Sequence, residues 1–336
     1  MDIYDRMSRN RKRLVLAAAA FCLALMAFSG LVVILLREVF RVPLDPWLLW
    51  AMFWLLCLLY VLIRYALGGM WVLKGIKILP SWKVDRRLED ALMAACLASG
   101  SADRMRLFEI PDDDINSFSL SLPDGTFALF ATSGIASKLP HDERVAVFAH
   151  EIAHMQAGDT TIYTIMIRLA GTRSLRRMVG GLPGATRDPV KSLNVSIFTF
   201  LLAAAAILLV VGSTRDPGQG ASSGSGFWFT LAVIFLALLA ILPIIANTLL
   251  RLVLDRNREY SADMHAVYIM RDPAAVYGAV KEAAEDVRDV ILLPACFDAL
   301  LFHPVVDYSS YRPFRTQPAM SQRMARLSAA FPIITV

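Results

Sequence analysis

Four long runs without a charged residue are the dominant pattern along the chain. They cover residues 14–36, 46–63, 193–212 and 227–250. Each approaches the length that a helix needs to cross about 30 Å of hydrocarbon. Helices buried in a soluble core rarely remain apolar on every face, although a buried core helix is the alternative for each run. The pattern therefore predicts four transmembrane helices, of which the second is the shortest and ends at Arg64.

Shorter patterns between the second and third runs predict a helix and a β-hairpin. Residues 82–98 repeat apolar positions at intervals of three and four, as in an amphipathic helix. Residues 106–110, 117–122 and 126–132 alternate like strands. A Pro123-Asp124-Gly125 turn separates the last two strands, so residues 116–132 are predicted to form the hairpin.

A further helix is predicted between Pro140 and Gly158, since proline favours the first turn of a helix and glycine its end. It carries the sequence His150-Glu151-Ile152-Ala153-His154. Residues four apart share a helix face, so the two imidazoles can bind one zinc, with Glu151 beside them to act on water. The alternative is a helix with two solvent-facing histidines, which the apolar residues around the motif disfavour.

A catalytic zinc requires a third protein ligand. The longer HExxHxxGxxH pattern fails here, because Ala157 and Thr160 occupy its glycine and third histidine positions. After Glu151 the next glutamate is Glu259, beyond the fourth run. On a helix Glu259 shares a face with Asp263, so Glu259 can bind zinc while Asp263 accepts the outer N–H of a ligand histidine. The alternative is a solvated acidic pair.

Composition and charge fit a membrane protein. Hydrophobic residues make up 57% of the 336 residues and charged residues 19%, with mean hydropathy +0.53, which excludes disorder, collagen-like repeats and an ordinary cytosolic enzyme.

Arg and Lys are concentrated before the first run, before the third and after the fourth, so the positive-inside rule places the N-terminus and the zinc motif on the cytoplasmic side. We assign the net charge of +5 to contact with anionic lipid headgroups, and no nucleic-acid-binding motif is present. The four cysteines include no CxxC pair, which disfavours a disulfide framework.

The chain is therefore expected to be organised in four segments. Residues 1–69 comprise an N-terminal cytoplasmic segment and the first two membrane helices, and residues 70–192 a cytoplasmic catalytic block with the hairpin and the HExxH helix. Residues 193–250 carry the other two membrane helices, and residues 251–336 a cytoplasmic block with the third zinc ligand. The expected fold class is a mainly α, multi-pass membrane protein with an α+β zinc protease domain.

At these residues the chain resembles a known family. The sequence HEIAH with Gly158-Asp159, the following pair of apolar runs and then the sequence REYSAD at residues 258–263 are similar to the HtpX-type membrane zinc metallopeptidases, which are related to the CAAX prenyl endopeptidases. The resemblance covers most of the chain. It implies a gluzincin-like fold, one Zn²⁺ per chain, location in the cytoplasmic (inner) membrane, and cleavage of membrane or misfolded proteins in quality control.

Two departures from the family pattern concern the substrate site. Asn116-Ser117-Phe118 begins a family stretch that residues 119–121 do not continue, and the resemblance makes Asn116 a candidate substrate-binding residue. Near the C-terminus the family has His-Pro followed by Arg, whereas this chain has Gln317-Pro318 and then Arg323. Arg323 is thus the candidate for stabilising the oxyanion, with Gln317 as a weaker donor. His303, Tyr308 and Tyr311 are possible substitutes for the missing histidine.

The expected activity is hydrolysis of peptide bonds in protein substrates, with Glu151 transferring the proton of the attacking water to the leaving amine. The substrate is expected to lie extended along an edge strand near residues 126–132, unless the hairpin is only scaffold. One alternative is a non-catalytic zinc-bound scaffold, which has no need of Glu151. A second is a transporter, which the lack of interior ionisable residues in the runs disfavours. A third is a CAAX-type prenyl-protein endopeptidase.

Overall fold

The fold is mostly helical, with one small sheet. The computed structural model describes residues 3–38, 45–74, 76, 78–101, 104–170, 255, 257–286, 297, 300–304 and 317–332. Its helices are α1 (Ile3–Glu38), α2 (Pro46–Lys74), α3 (Arg86–Ser99), α4 (Ser133–Lys138), α5 (His141–Ala157), α6 (Asp159–Ala170), α7 (Arg258–Met270), α8 (Pro273–Glu285) and α9 (Met320–Ala330). Its strands are β1 (Met105–Ile110), β2 (Ser117–Ser121) and β3 (Phe127–Thr132), and a 3₁₀ turn, Ser81–Lys83, precedes α3.

Helix α5 has the boundaries that its sequence predicts. It follows Pro140 and has Asp142 and Glu143 in its first turn, where the helix dipole favours negative charge. It ends at Gly158, whose φ of 79° is in the left-handed region that glycine adopts without strain. The helix predicted over residues 82–98 is also confirmed, although it begins later, at Arg86 after the cap formed by the Asp85 side chain.

The sheet confirms the hairpin and corrects the position of its second strand. β2 pairs with β3 antiparallel, and β1 pairs with β3 parallel, giving the order β1-β3-β2. The expectation that residues 126–132 form an edge strand is therefore wrong, because β3 is paired on both sides. Alternating hydrophobicity predicts a strand but not its neighbours, and the β1–β3 pairing joins segments that are not adjacent in sequence.

The main core surrounds α5. All of residues 145–157 except Gln156 are buried, and α3, α7 and α8 pack against this helix. One face of β3 contributes Leu129 and Ala131 to this core, and the other face packs Ala128 and Phe130 into a smaller cluster. The alternative of a solvent-exposed HExxH helix is thus wrong. Because α7 and α5 share one core, the two sequence blocks that carry the zinc motifs fold together.

Helices α1 and α2 cover the first two apolar runs. They pack against each other and against α6, and α1 also contacts α5. Large apolar side chains remain exposed along both helices, among them Leu16, Leu23, Ile34, Leu55, Leu59 and Leu62. None of the helices that the structure describes has the combination of length and apolar character needed to cross a membrane, so the predicted crossings are not confirmed. The third and fourth runs lie outside the described residues.

A buried carboxyl group lies in the loop between β1 and β2. Asp114 is fully buried, and its Oδ1 has no hydrogen-bond partner within the described part of the chain. Burial raises the pKa of Asp114 from 3.8 to about 6, although a hydrogen bond from Asn116 opposes the shift. The loop also contacts α4 closely, because a Cβ at Gly134 would lie 2.3 Å from the carbonyl oxygens of Asp113 and Asp114.

We expect Asp114→Asn to stabilise the protein at neutral pH. The folded pKa lies above the unfolded one, so the wild type loses stability as the pH rises from about 4 through about 6, by up to about 3 kcal/mol. The variant lacks this loss. Its melting temperature should exceed that of the wild type at pH 7.5, and the difference should shrink at pH 4.5. Asp113→Asn, at an exposed neighbouring position, is the control, and equal melting temperatures for Asp114→Asn and wild type at pH 7.5 would contradict the prediction.

Candidate zinc site

Two nitrogen atoms and one oxygen atom, from side chains on two helices, meet in the core. His150 and His154 project from α5, and Glu259 projects from the first turn of α7. The Nε2 atoms of the two histidines are 3.1 Å apart, and Glu259 Oε2 lies 3.2 Å from the first and 3.5 Å from the second. All three side chains are nearly inaccessible to solvent. The structure therefore brings together the three ligands that the sequence predicts.

The spacing of these atoms fits a zinc ion. Ligand atoms about 2.0–2.1 Å from a tetrahedral Zn²⁺ are separated from each other by about 3.3 Å. The three separations of 3.1, 3.2 and 3.5 Å bracket that value. Two imidazoles and one carboxylate also form a donor set used in catalytic zinc sites, which leaves one position of the tetrahedron for water or substrate.

His150 is oriented by a carboxylate on α7. Its Nδ1 lies 2.8 Å from Asp263 Oδ1, which leaves Nε2 facing the other ligand atoms. Asp263 in turn accepts two hydrogen bonds from Arg323, from Nε to Oδ2 at 2.8 Å and from Nη2 to Oδ1 at 2.6 Å. Burial opposes ionisation, but Arg323 outweighs it and lowers the pKa of Asp263. Asp263 thus lies where the sequence predicts, in contact with a ligand histidine.

His154 has an equivalent partner on α6. Its Nδ1 lies 3.0 Å from Asp159 Oδ2, so its Nε2 also faces the ligand cluster. Burial alone would lower the pKa of His154, but Glu259 and Asp159 outweigh burial and raise the pKa to about 9. The carboxylates of Glu259 and Asp159 thus favour positive charge at this place, whether on His154 or on a cation bound beside it.

Glu259 carries the negative charge at the centre of the site. Although its complete burial opposes ionisation, Arg258 and His154 hold the pKa of Glu259 well below its usual range. The Arg258 guanidinium contacts Glu259 Oε1 at 2.5 Å and lies over the ring of Tyr163, 4.3 Å from its centroid. One oxygen of Glu259 is therefore held by Arg258, and the other faces the two histidines.

Glu151 is a buried carboxylate that is not part of the ligand cluster. It follows His150 on α5 and is 2% exposed. Ser117 Oγ donates a hydrogen bond to Glu151 Oε1 at 2.8 Å, which ties the carboxylate to β2. A structural zinc site needs no such additional acid. Its place in the HExxH motif makes Glu151 the candidate general base.

The outer edge of β2 is covered by groups from the same chain. Ser117 O accepts a hydrogen bond from Phe302 N, and Ser121 N donates to the Thr164 hydroxyl on α6. Asn116 is fully buried, and its amide donates to the carbonyl oxygen of His303 and accepts from the N–H of the same residue. Asn116 thus binds the segment at residues 300–304 and fixes it beside the site.

Arg323 and Gln317 are near the site but engaged within the chain. Arg323 is 1% exposed, and besides its two bonds to Asp263 it donates from Nη1 to the Phe302 carbonyl at 2.6 Å. The Gln317 amide donates to the Leu301 carbonyl. His303 is mostly buried, and burial followed by the charge of Arg323 lowers its pKa to about 4. Tyr308 and Tyr311 lie outside the described residues.

Sequence reasoning gave no role to three residues of the site. Asp159 holds His154, Ser117 holds Glu151, and Asn10 of α1 donates to Asp159. The position of Asp159, one residue after the glycine that ends α5, was a usable signal because the turn brings it back toward the preceding helix. No local pattern marks Ser117 or Asn10, since each makes its contact with a distant part of the chain.

The chain is similar to known proteases. The model of peptidase family M48 matches residues 83–330. The protease HtpX homologue of Ligilactobacillus salivarius is 25% identical over 228 residues, covering 68% of each chain. That of Streptococcus equi subsp. equi is 24% identical over 229 residues, covering 68% of this chain and 64% of the relative. That of Bacteroides fragilis is 24% identical over 205 residues, covering 61% of this chain and 54% of the relative.

The matched region thus spans between about half and two thirds of the length of these relatives. Among solved structures, S. mikatae Ste24p is similar with a TM-score of 0.41 and 17% sequence identity. That alignment covers 94% of this chain and 66% of the other.

We expect Glu259→Gln to weaken zinc binding by roughly 100-fold or more. Loss of an outer contact to a metal ligand already costs about 10- to 100-fold in affinity, and this change removes a proposed ligand together with the negative charge that Arg258 contacts. Zinc affinity measured by competition with a chromogenic chelator checks the prediction. Glu285→Gln, an exposed change on the neighbouring helix α8, should leave the affinity unchanged. Wild-type zinc affinity in Glu259→Gln would place the third ligand elsewhere.

Proposed function

The chain belongs to peptidase family M48, and on that premise we propose that it is a zinc metalloendopeptidase of the HtpX type. The observation that carries the proposal is the near-tetrahedral spacing of His150 Nε2, His154 Nε2 and Glu259 Oε2 beside a buried carboxylate that is not a ligand. These three residues would hold one Zn²⁺. When bound, zinc supplies a Lewis acid that polarises the peptide carbonyl and makes water acidic enough to ionise near neutral pH.

Glu151 performs the proton transfers in this proposal. Its carboxylate takes a proton from the attacking water and gives it to the nitrogen of the leaving amine. The hydrogen bond from Ser117 to Oε1 fixes one carboxylate oxygen, so the other oxygen is the one that exchanges the proton. Burial excludes bulk water from this carboxylate and strengthens its interaction with nearby charge.

Arg323 acts in the proposal through other residues. Its guanidinium is engaged with Asp263 and the Phe302 carbonyl, so we assign it to positioning of the Asp263–His150 pair and of the segment at residues 300–304. This replaces the expected contact with the oxyanion. Asn116 likewise positions that segment through both of its amide atoms, instead of contacting substrate directly.

The substrates we propose are extended segments of membrane or misfolded proteins. β2 is the sheet edge next to Glu151, since Ser117 belongs to both the edge and the site. A substrate strand pairing along β2 would replace the hydrogen bond between Phe302 N and Ser117 O. Recognition through main-chain groups is tolerant of sequence, which suits a protease that acts on many clients.

We also propose that α1 and α2 hold the protein at the inner membrane, with the N-terminus and the zinc site on the cytoplasmic side. The support is the apolar surface of the two helices, where Leu16, Leu23 and Leu55 are each more than 60% exposed. Residues 9–13 at the beginning of α1 include four of the basic residues that favour the cytoplasmic side. The four membrane crossings predicted from the sequence, and the four-segment division of the chain, belong to this proposal.

We expect Glu151→Gln to abolish proteolysis and to retain zinc. The change keeps the shape of the side chain and removes the base, so hydrolysis of an unfolded model substrate such as casein should fall by 10²-fold or more. Zinc content of the detergent-purified full chain should remain one per chain. Glu143→Gln, the same change near the start of the same helix, is the matched control and should cleave like the wild type.

Zinc in wild type and variant with no cleavage by either would favour the non-catalytic scaffold over the protease. Cleavage by Glu151→Gln at the wild-type rate would refute the assignment of the base.

We expect the full chain to remain with membranes after alkaline carbonate extraction. Replacing Leu55, Leu59 and Leu62 of α2 with Ser removes exposed apolar surface and should shift part of the protein into the soluble fraction. Replacing Met93 and Leu97 of α3 with Ser is the control. These two side chains are at least as exposed as those of α2, and the change should leave the distribution unchanged. Complete extraction of the wild type by carbonate would contradict the membrane proposal.

A further inference from the structure

A polar side chain of the first helix reaches the zinc site. Asn10 lies near the beginning of α1, and it is 6% exposed although Arg9 and Lys12 beside it are exposed. Its Nδ2 donates to the Ala157 carbonyl at 3.0 Å and to Asp159 Oδ1 at 2.6 Å. The two acceptors flank Gly158, because Ala157 is the last residue of α5 and Asp159 the first residue of α6. Asn10 therefore joins α1 to the segment that follows the HExxH motif, although the two are far apart in the sequence.

The second of these bonds leads directly to a proposed metal ligand. Asp159 uses Oδ1 to accept from Asn10 and Oδ2 to contact His154 Nδ1 at 3.0 Å. The two oxygens of one carboxylate are thus occupied by an amide and an imidazole. Because Asp159 is 5% exposed, water is a poor replacement for either partner.

We propose that Asn10 is a positioning residue for His154 and acts through the carboxylate of Asp159. The inference rests on the zinc site under Proposed function and extends it to the first helix. The amide fixes the rotation of the carboxylate, and the carboxylate fixes the ring plane and the tautomer of His154, so that Nε2 points to the metal. Zinc affinity and ligand geometry consequently depend on how α1 is seated.

A second contact of α1 supports this dependence. Arg13, one turn after Asn10, forms an ion pair with Asp255 at 2.9 Å, just before α7. Helix α7 carries Glu259 in its first turn. Helix α1 therefore contacts the chain close to both ligand-bearing helices, after the end of α5 and before the start of α7.

The simpler role for Asn10 is to cap α5. The Ala157 carbonyl is one of the last in that helix, and a donor there stabilises the helix end without any effect on the metal. The two roles predict different results when the charge on Asp159 and the amide on Asn10 are exchanged. Capping of α5 requires only a hydrogen-bond donor at position 10. Positioning of His154 requires that the side chains at positions 10 and 159 form a hydrogen bond with each other.

The test uses the full chain in detergent and measures zinc affinity by chelator competition, together with the visible spectrum of the cobalt-substituted protein. Asn10→Asp places a second carboxylate against Asp159 and should lower zinc affinity about 10- to 100-fold and change the cobalt bands. Combining Asn10→Asp with Asp159→Asn restores one donor facing one carboxylate and should recover part of that loss. Lys12→Ala, an exposed change on the same helix, is the control and should match the wild type.

Unchanged zinc affinity and an unchanged cobalt spectrum in Asn10→Asp would overturn the proposal. Failure of the combined variant to improve on Asn10→Asp would assign Asn10 to the cap alone and would also overturn it. Should Asn10→Asp not fold, as judged from melting of the zinc-free protein, Asn10→Ala is measured against the same criteria. A wild type that binds no zinc would refute the proposed zinc site itself, and this result is distinct from variants that bind zinc like the wild type.

Discussion

Charge held in a core without water is the constraint on which the site depends. Glu259, Asp263 and Arg323 are each no more than 2% exposed, and removing such groups from water costs several kcal/mol per ion unless they are paired. The chain pairs them in fixed directions, Glu259 with Arg258 and Asp263 with Arg323. In each pair, one carboxylate oxygen also contacts a histidine. The pairs that neutralise buried charge are thus also those that orient the ligands.

The core around α5 converts this pairing into a rigid geometry. Because the helix is buried on almost every face, His150 and His154 cannot turn toward solvent without disrupting the packing of α3, α7 and α8. Each neighbouring element then supplies one contact to the site. β2 supplies Ser117 to Glu151, α6 supplies Asp159 to His154, and α7 supplies both Glu259 and Asp263. The surfaces of α5 that pack against its neighbours therefore also carry the residues of the candidate site.

The features that can be predicted from the sequence are those that depend on the spacing of residues within one helix. The four-residue separations of His150 from His154 and of Glu259 from Asp263 place each pair on one helix face, and the proline and glycine at the ends of α5 mark its length. The central position of β3 and the contacts of Ser117 and Asn10 depend on segments that meet only in the folded chain. The family resemblance makes Arg323 a candidate for stabilising the oxyanion, because it gives the position of this residue in a motif but not its contacts. Its partners Asp263 and Phe302 become visible when helix α9 is seen against α7.

The three residues of the candidate zinc site are divided along the chain, with both histidines before residues 171–254 and Glu259 after them. A ribosome that has completed α5 has therefore produced only two of these three side chains, and a catalytic zinc requires three protein ligands. Bringing α7 onto α5 across the many residues between them has an entropic cost, which the packing of the two helices offsets. The complete three-residue site and the burial of Glu259 consequently require synthesis at least through α7. A chain that stops before α7 therefore lacks one of the three residues of the candidate zinc site.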